Sequence, residues 1–134
     1  GVVILAFHNQ NIIFLKQFRH ATRDFEYSLI RGFSEKDKSD LEVVTQELKE
    51  EIGATIIGFP KLLGKVTIDS GLCGKKVAIY ACHIDSYNPT TSDYEGIVSV
   101  YEKSPIAFEK MISNNTITDN FTIEAYCLWK LQNT

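Results

Sequence analysis

The sequence predicts a mixed α/β domain in which helices pack on a β-sheet. Runs rich in β-branched and aromatic residues fill the first thirty positions and return at 55–69, 75–85 and 97–102. An amphipathic helical pattern interrupts them at 40–52, and two further helical patterns follow the last strand. Strands and helices in this order are the layered arrangement of one α/β unit, and a chain of 134 residues is about one domain long.

In order, "VVILAF" (2–7) and "NIIFLKQFR" (11–19), separated by "HNQ", read as a hairpin. "FEYSLI" (25–30) reads as a short third strand, and "RGFSEKDKS" (31–39) as a polar loop opened by a glycine. Ser39 followed three residues later by Glu42 is a capping box, and Gly53 is a terminator, which bounds a helix over 40–52. Leu41, Val44, Leu48 and Ile52 recur at helical spacing and are expected to face the core. The strand over 55–69 carries a break near Gly58 and Pro60. "KKVAIYACHID" (75–85) is a strong strand, "YNPTTSDYEG" (87–96) a turn-rich loop, and "IVSVYE" (97–102) a further strand. "SPIAFEKMI" (104–112) opens as a helix should, with Ser at the cap and Pro in the first turn. The last helix spans 118–132, with apolar Phe121, Ile123, Leu128 and Leu131.

Composition narrows the function classes. The chain is 44% hydrophobic and 23% charged, with net charge −3 and no basic tract, which argues against nucleic acid as a partner. No apolar run approaches the ~18–20 residues that span a bilayer, so no membrane partner is expected. Gly1 leads straight into an apolar run with no basic segment before it, so neither a signal peptide nor an N-terminal tail is expected. Cys73, Cys82 and Cys127 are odd in number and lack metal-ligand spacing, and they read as reduced thiols of a cytoplasmic protein.

The chemistry concentrates in "QELKEEIG" (46–53). Glu47, Glu50 and Glu51 stand at i, i+3 and i+4, neighbours on one side of the helix at the border of its apolar stripe. Like charges at this spacing cost roughly 0.2–0.5 kcal/mol per pair. They also lie toward the C-terminal end, where the helix dipole disfavours anions. Lys49 relieves this only in part. Two readings follow from the residues: a solvated acidic face, or carboxylates that hold a divalent cation such as Mg²⁺.

Counting back from Gly53 finds Glu51, Glu50, Leu48 and Glu47, with Gly32 at the start of an ungapped segment, "GFSEKDKSDLEVVTQELKEEIGA" (32–54). This segment resembles the Nudix box: glycine, five residues, glutamate, seven residues, then Arg-Glu-aliphatic-x-Glu-Glu-x-Gly-aliphatic. The flanks are similar to the ADP-ribose and nucleoside-diphosphate-sugar pyrophosphatase type. "FLKQFRHATRDFEYSLIRGF" looks like the segment before the box, and "GKKVAIYACHI" and "EGIVSVYEKSPIAFEKMI" match its later strand, acidic loop, strand and helix. The resemblance covers nearly the whole chain; the box is its specific part and the flanks are suggestive.

The resemblance implies a mixed sheet sandwiched between helices and a Mg²⁺- or Mn²⁺-dependent hydrolase of a nucleoside diphosphate linked to another moiety. It implies Glu47, Glu50 and Glu51 as metal ligands, joined by the Gly32 carbonyl. Arg19 matches the Gln-aromatic-Arg that contacts phosphate or ribose, and Arg23 is a weaker candidate. Arg31 is either a phosphate contact or a surface residue. The base is Glu47, or an acid of the late loop, Asp93 or Glu95, with Glu95 preferred. Phe18 or Tyr27 either stacks on a base or belongs to the core. His20 either lines the site or serves the surface, His8 and His83 lack metal spacing, and Trp129 reads as packing. A homodimer is the expectation, without a named interface; relatives of this type share substrate contacts through an N-terminal extension, which is not expected here.

Two box positions depart from the pattern. Lys38 stands at the first glutamate and Gln46 at the arginine, so the box is more positive than the pattern. Gln46 still donates a hydrogen bond but lacks the charged fork of a guanidinium. Before the box, Ser28 and Ile30 replace the acid and the proline usual in the subfamily. A weakened enzyme, a non-catalytic nucleotide-binding module and an unrelated α/β domain with an acidic helix are the competing expectations. A loop–helix–loop over 32–54 separates the last of these from the first two.

Overall fold

The computed structural model describes residues 1–88 and 97–133. Strands β1 (Val2–His8) and β2 (Asn11–Arg19) form a hairpin whose turn narrows to Asn9 and Gln10, both left-handed at φ 48° and 72°. That pair of positive φ values marks a two-residue turn whose twist matches the strands it joins. The expected third strand is two. β3 (Asp24–Ser28) pairs with β2, the chain breaks at Leu29, and β4 (Ile30–Gly32) pairs with β1. Arg31 and Gly32 are therefore strand residues, not the opening of a loop. The break has a physical cause: the chain steps from one neighbouring strand to another, and the buried Leu29 N–H bonds the Thr122 hydroxyl at 3.1 Å instead of a ladder partner.

Helix α1 spans Asp40–Ile52 as its end signals require. Ser39 and Glu42 form the reciprocal capping box, and Gly53 closes the helix at φ 64°. The packed face is rotated from the expected one. Leu41 is 46% exposed, and Val43 takes its place beside Val44, Leu48, Glu51 and Ile52. Strand β5 (Ile56–Asp69) runs through the Gly58–Pro60 region as a bulge, with Gly58 at φ 73°, and pairs with β6 (Cys73–Ile84). Strand β7 (Ile97–Lys103) pairs with β2. Helix α2 (Pro105–Ser113) starts from Ser104, and α3 (Asn120–Gln132) from Asp119. On α3 the buried positions are Thr122, Ala125 and Tyr126; of the apolar residues noted in the sequence, Phe121, Ile123 and Leu128 pack partly buried against that core and Leu131 is 68% exposed.

The sheet order is β3-β2-β1-β6-β5, with β4 beside β1 and β7 beside β2; β1 and β6 are parallel and the other pairs antiparallel. Strand β1 is buried on both sides, as a central strand must be. Val2, Ile4 and Ala6 join the core under α1, whereas Val3, Leu5 and Phe7 join the core with α2 and α3 residues. The result is an α+β arrangement with a mixed sheet between helices. No helix among the described residues is long and apolar enough to cross a membrane.

Candidate active site

Gly32 fixes where α1 lies. A Cβ built there would stand 2.6 Å from Glu47 Cγ and 2.9 Å from Val43 Cγ1, so the helix rests against backbone that only glycine leaves bare. Glu47 thus passes directly over the end of β4. One turn on, Glu51 is 8% exposed, in the packed side of the helix. Glu50 is exposed and turned along the outer surface. Its Oε1 accepts from Gln46 Nε2 at 2.8 Å, and Gln46 Oε1 accepts from Lys38 Nζ. Lys38 also bridges Glu35 at 2.9 Å, and that bond holds its ammonium above the ordinary lysine value. The two departures from the box therefore touch one another, and Gln46 links Lys38 to Glu50.

The second half of the site is basic. Arg19, at the end of β2, is half-buried, and its pKa is lowered first by that burial and next by the neighbouring Arg31 cation. Asp119, Glu51 and Glu26 act on it in the opposite sense. Among the described residues no carboxylate lies within ion-pair distance of the Arg19 guanidinium. Arg31 reaches Asp119 Oδ1 at 3.8 Å, beyond hydrogen-bond length, and its Cζ lies 5.6 Å from the centre of the Phe121 ring. Two guanidiniums within electrostatic reach of one another, one of them partly desolvated, repel unless an anion joins them. Arginine keeps its charge under such conditions, so the arrangement favours a phosphate-like ligand.

Arg19 ties the two halves together, because both Glu51 of α1 and Arg31 of β4 act on it. The expected residues Gly32, Glu47, Glu51, Arg19 and Arg31 are thus in one region, while Glu50 is turned aside. Glu95 and Asp93 lie outside the described residues. Arg23 is exposed, at φ 53° in the β2–β3 turn. His20 is exposed and edge-on to Phe18, which stays half-buried outside both core clusters. Tyr27 packs with Phe14 and Tyr101 against the core. His8 bonds Glu102 through Nδ1. Trp129 packs on Phe7, its centroid 5.1 Å away. Asp119 and Phe121 were not anticipated; the only signal was the "TDNFT" cap pattern, which announces a helix start and not a site.

The donor set is right in kind for Mg²⁺, which prefers carboxylate and carbonyl oxygens. As the side chains stand, no three acidic, histidine or cysteine groups among the described residues gather closely enough to hold a metal ion. A cavity of about 490 Å³ lies elsewhere, by Phe7, Lys61, His83 and Trp129, and no carboxylate among the described residues lines it. Phe7 is at the opposite end of β1 from Val2, the partner of Gly32.

No family model matches the chain, and no curated protein matches it in sequence. Among solved structures, the chain is similar to one described as the crystal structure of ADP compounds hydrolase. The TM-score is 0.83 at 17% identity, over 98% of this chain and 70% of that one. The likeness shows a Nudix-like fold, a mixed sheet with three helices.

Proposed function

We propose that the chain hydrolyses ADP-ribose or a related nucleoside diphosphate linked to another moiety, using Mg²⁺ or Mn²⁺. One observation carries the reading: the cation of Arg31 and the carboxylate of Glu51 both act on the half-buried Arg19, and the Gly32–Glu47 contact sets the acidic helix against the strand that bears Arg31. A cationic pair beside an acidic helix suits a diphosphate that is neutralised from two sides. The name of the structural neighbour, a hydrolase of ADP compounds, supports the same class.

In the proposed mechanism Arg19 and Arg31 bind the diphosphate oxygens and orient the phosphorus for in-line attack. A water attacks phosphorus, the bridging P–O bond breaks, and the departing phosphate takes the bond's electron pair. Glu47 or Glu95 receives the proton of the water. Glu47, Glu50, Glu51 and the Gly32 carbonyl would hold the metal, which offsets charge on the phosphate oxygens and lowers the pKa of a bound water. Glu50 must first leave Gln46.

A second reading, a nucleotide-binding module without turnover, is favoured by the Lys38–Gln46–Glu50 chain, which occupies one acid of the cluster. The test is a substrate panel of ADP-ribose, nucleotide sugars and nucleoside triphosphates with and without Mg²⁺ or Mn²⁺, run beside Glu50→Gln and Glu51→Gln. Metal-dependent cleavage of one class, lost in both variants, is expected. Binding without turnover by folded protein would favour the second reading.

A further inference from the structure

We infer that Phe121, at the start of α3, is a positioning residue for the diphosphate-binding guanidinium of Arg31. The inference rests on the reading that Arg31 contacts a diphosphate. Among the described residues the carboxylate within ion-pair distance of Arg31 is Asp119, and at 3.8 Å it is beyond hydrogen-bond length. Arg31 also faces the Phe121 ring, 5.6 Å from Cζ, a separation at which a ring face attracts a guanidinium. The ring restrains the cation without consuming any of its N–H donors, which a carboxylate partner would do. Arg31 is thereby held and still open to a phosphate.

The ring is itself fixed to the strand that bears Arg31. Asp119 Oδ2 accepts from the Thr122 backbone N–H at 3.1 Å and from its hydroxyl at 2.6 Å. The same hydroxyl accepts from Leu29 N–H at 3.1 Å, two residues before Arg31. Thr122 is fully buried, so this linkage is shielded from water. Phe121 lies between the two residues that make these bonds. The first turn of α3 and the start of β4 are therefore in fixed register, and ring and guanidinium meet because of it.

The test is calorimetric titration of the whole chain with ADP in Mg²⁺, together with KM and kcat on the substrate cleaved, for the parent, Phe121→Leu, Phe121→Trp and Arg31→Gln. Melting temperatures are recorded for each. Phe121→Leu is expected to weaken ADP binding about threefold to tenfold and to raise KM more than it lowers kcat. Phe121→Trp, which restores a ring face, is expected to bind within about twofold of the parent. Phe121→Met, unbranched and without a ring, replaces the leucine variant if that protein fails to fold. Parent-like binding by the ringless variant while Arg31→Gln is weakened would overturn the inference and leave the diphosphate reading standing. Parent-like binding by Arg31→Gln would overturn both.

Discussion

A methyl group at Gly32 would collide with Cγ of Glu47 and Cγ1 of Val43, at 2.6 and 2.9 Å. Neither atom is the free end of a long side chain, so α1 itself must shift. Gly32→Ala is expected to cost about 1–3 kcal/mol, as overpacking does. It should also weaken Mn²⁺ binding, because Glu47 moves with the helix. Urea melts and electron paramagnetic resonance titration of Mn²⁺ read the two effects. Gly74→Ala, where an added Cβ meets nothing within 4 Å, is the control and should stay within about 0.5 kcal/mol of the parent. Gln46 poses a question of magnitude. An exposed i,i+4 hydrogen bond of its kind is worth roughly 0.2–0.5 kcal/mol, which is small against recruitment of a carboxylate by a divalent cation. Gln46→Leu should therefore change Mn²⁺ affinity by no more than about threefold. A tenfold gain would mean that the Lys38–Gln46–Glu50 chain holds Glu50 back from the metal, and would strengthen the non-catalytic reading.

At the scale of elements, α3 depends on one hydroxyl. Thr122→Val keeps the shape but leaves the buried Leu29 N–H without its acceptor, an expected cost of about 1–3 kcal/mol. Thr122→Ser restores the acceptor and should recover most of that loss in the same melts. How far elements were readable from sequence follows from where their information lies. Helix α1 was legible because its limits are local: Ser39 and Glu42 at one end, Gly53 at the other. Its inner face was not, because Leu41 and Val43 are equally apolar letters and only the contact with Gly32 selects Val43. The split of the third strand was hidden for a similar reason. Leu29 finds its partner 93 residues away, on a helix whose start announces a cap and nothing more. The acids and Arg19 stand out in the sequence as a motif, whereas the contact of Phe121 with Arg31 arises only through the fold.

At the scale of the whole molecule, β4 is the joint between the two layers. Its successive residues point to opposite faces: Gly32 meets α1 through Glu47, and Arg31 meets α3 through Asp119 and Phe121. Glu47 and Arg31 therefore reach β4 from its two faces, and Arg19, at the end of β2, is influenced by Glu51 of α1 and by Arg31 alike. In the absence of a cation, Glu47 and Glu51 are like charges one turn apart on the packed side of α1, which opposes folding modestly. A bound divalent ion would remove that repulsion and stabilise only the folded chain. At free Mg²⁺ a hundredfold above its Kd, the stabilisation is about 2.7 kcal/mol. For a chain of this size that is a rise in Tm on the order of 10 °C. The shift should shrink strongly in Glu47→Gln and in Glu51→Gln, and persist in a variant of a distant acid such as Glu109→Gln, whose partners are Tyr126 and Lys130. Equal shifts in all four proteins, read by differential scanning calorimetry, would mean that Mg²⁺ binds elsewhere, and the convergence of α1 and α3 at β4 would then serve the anion alone.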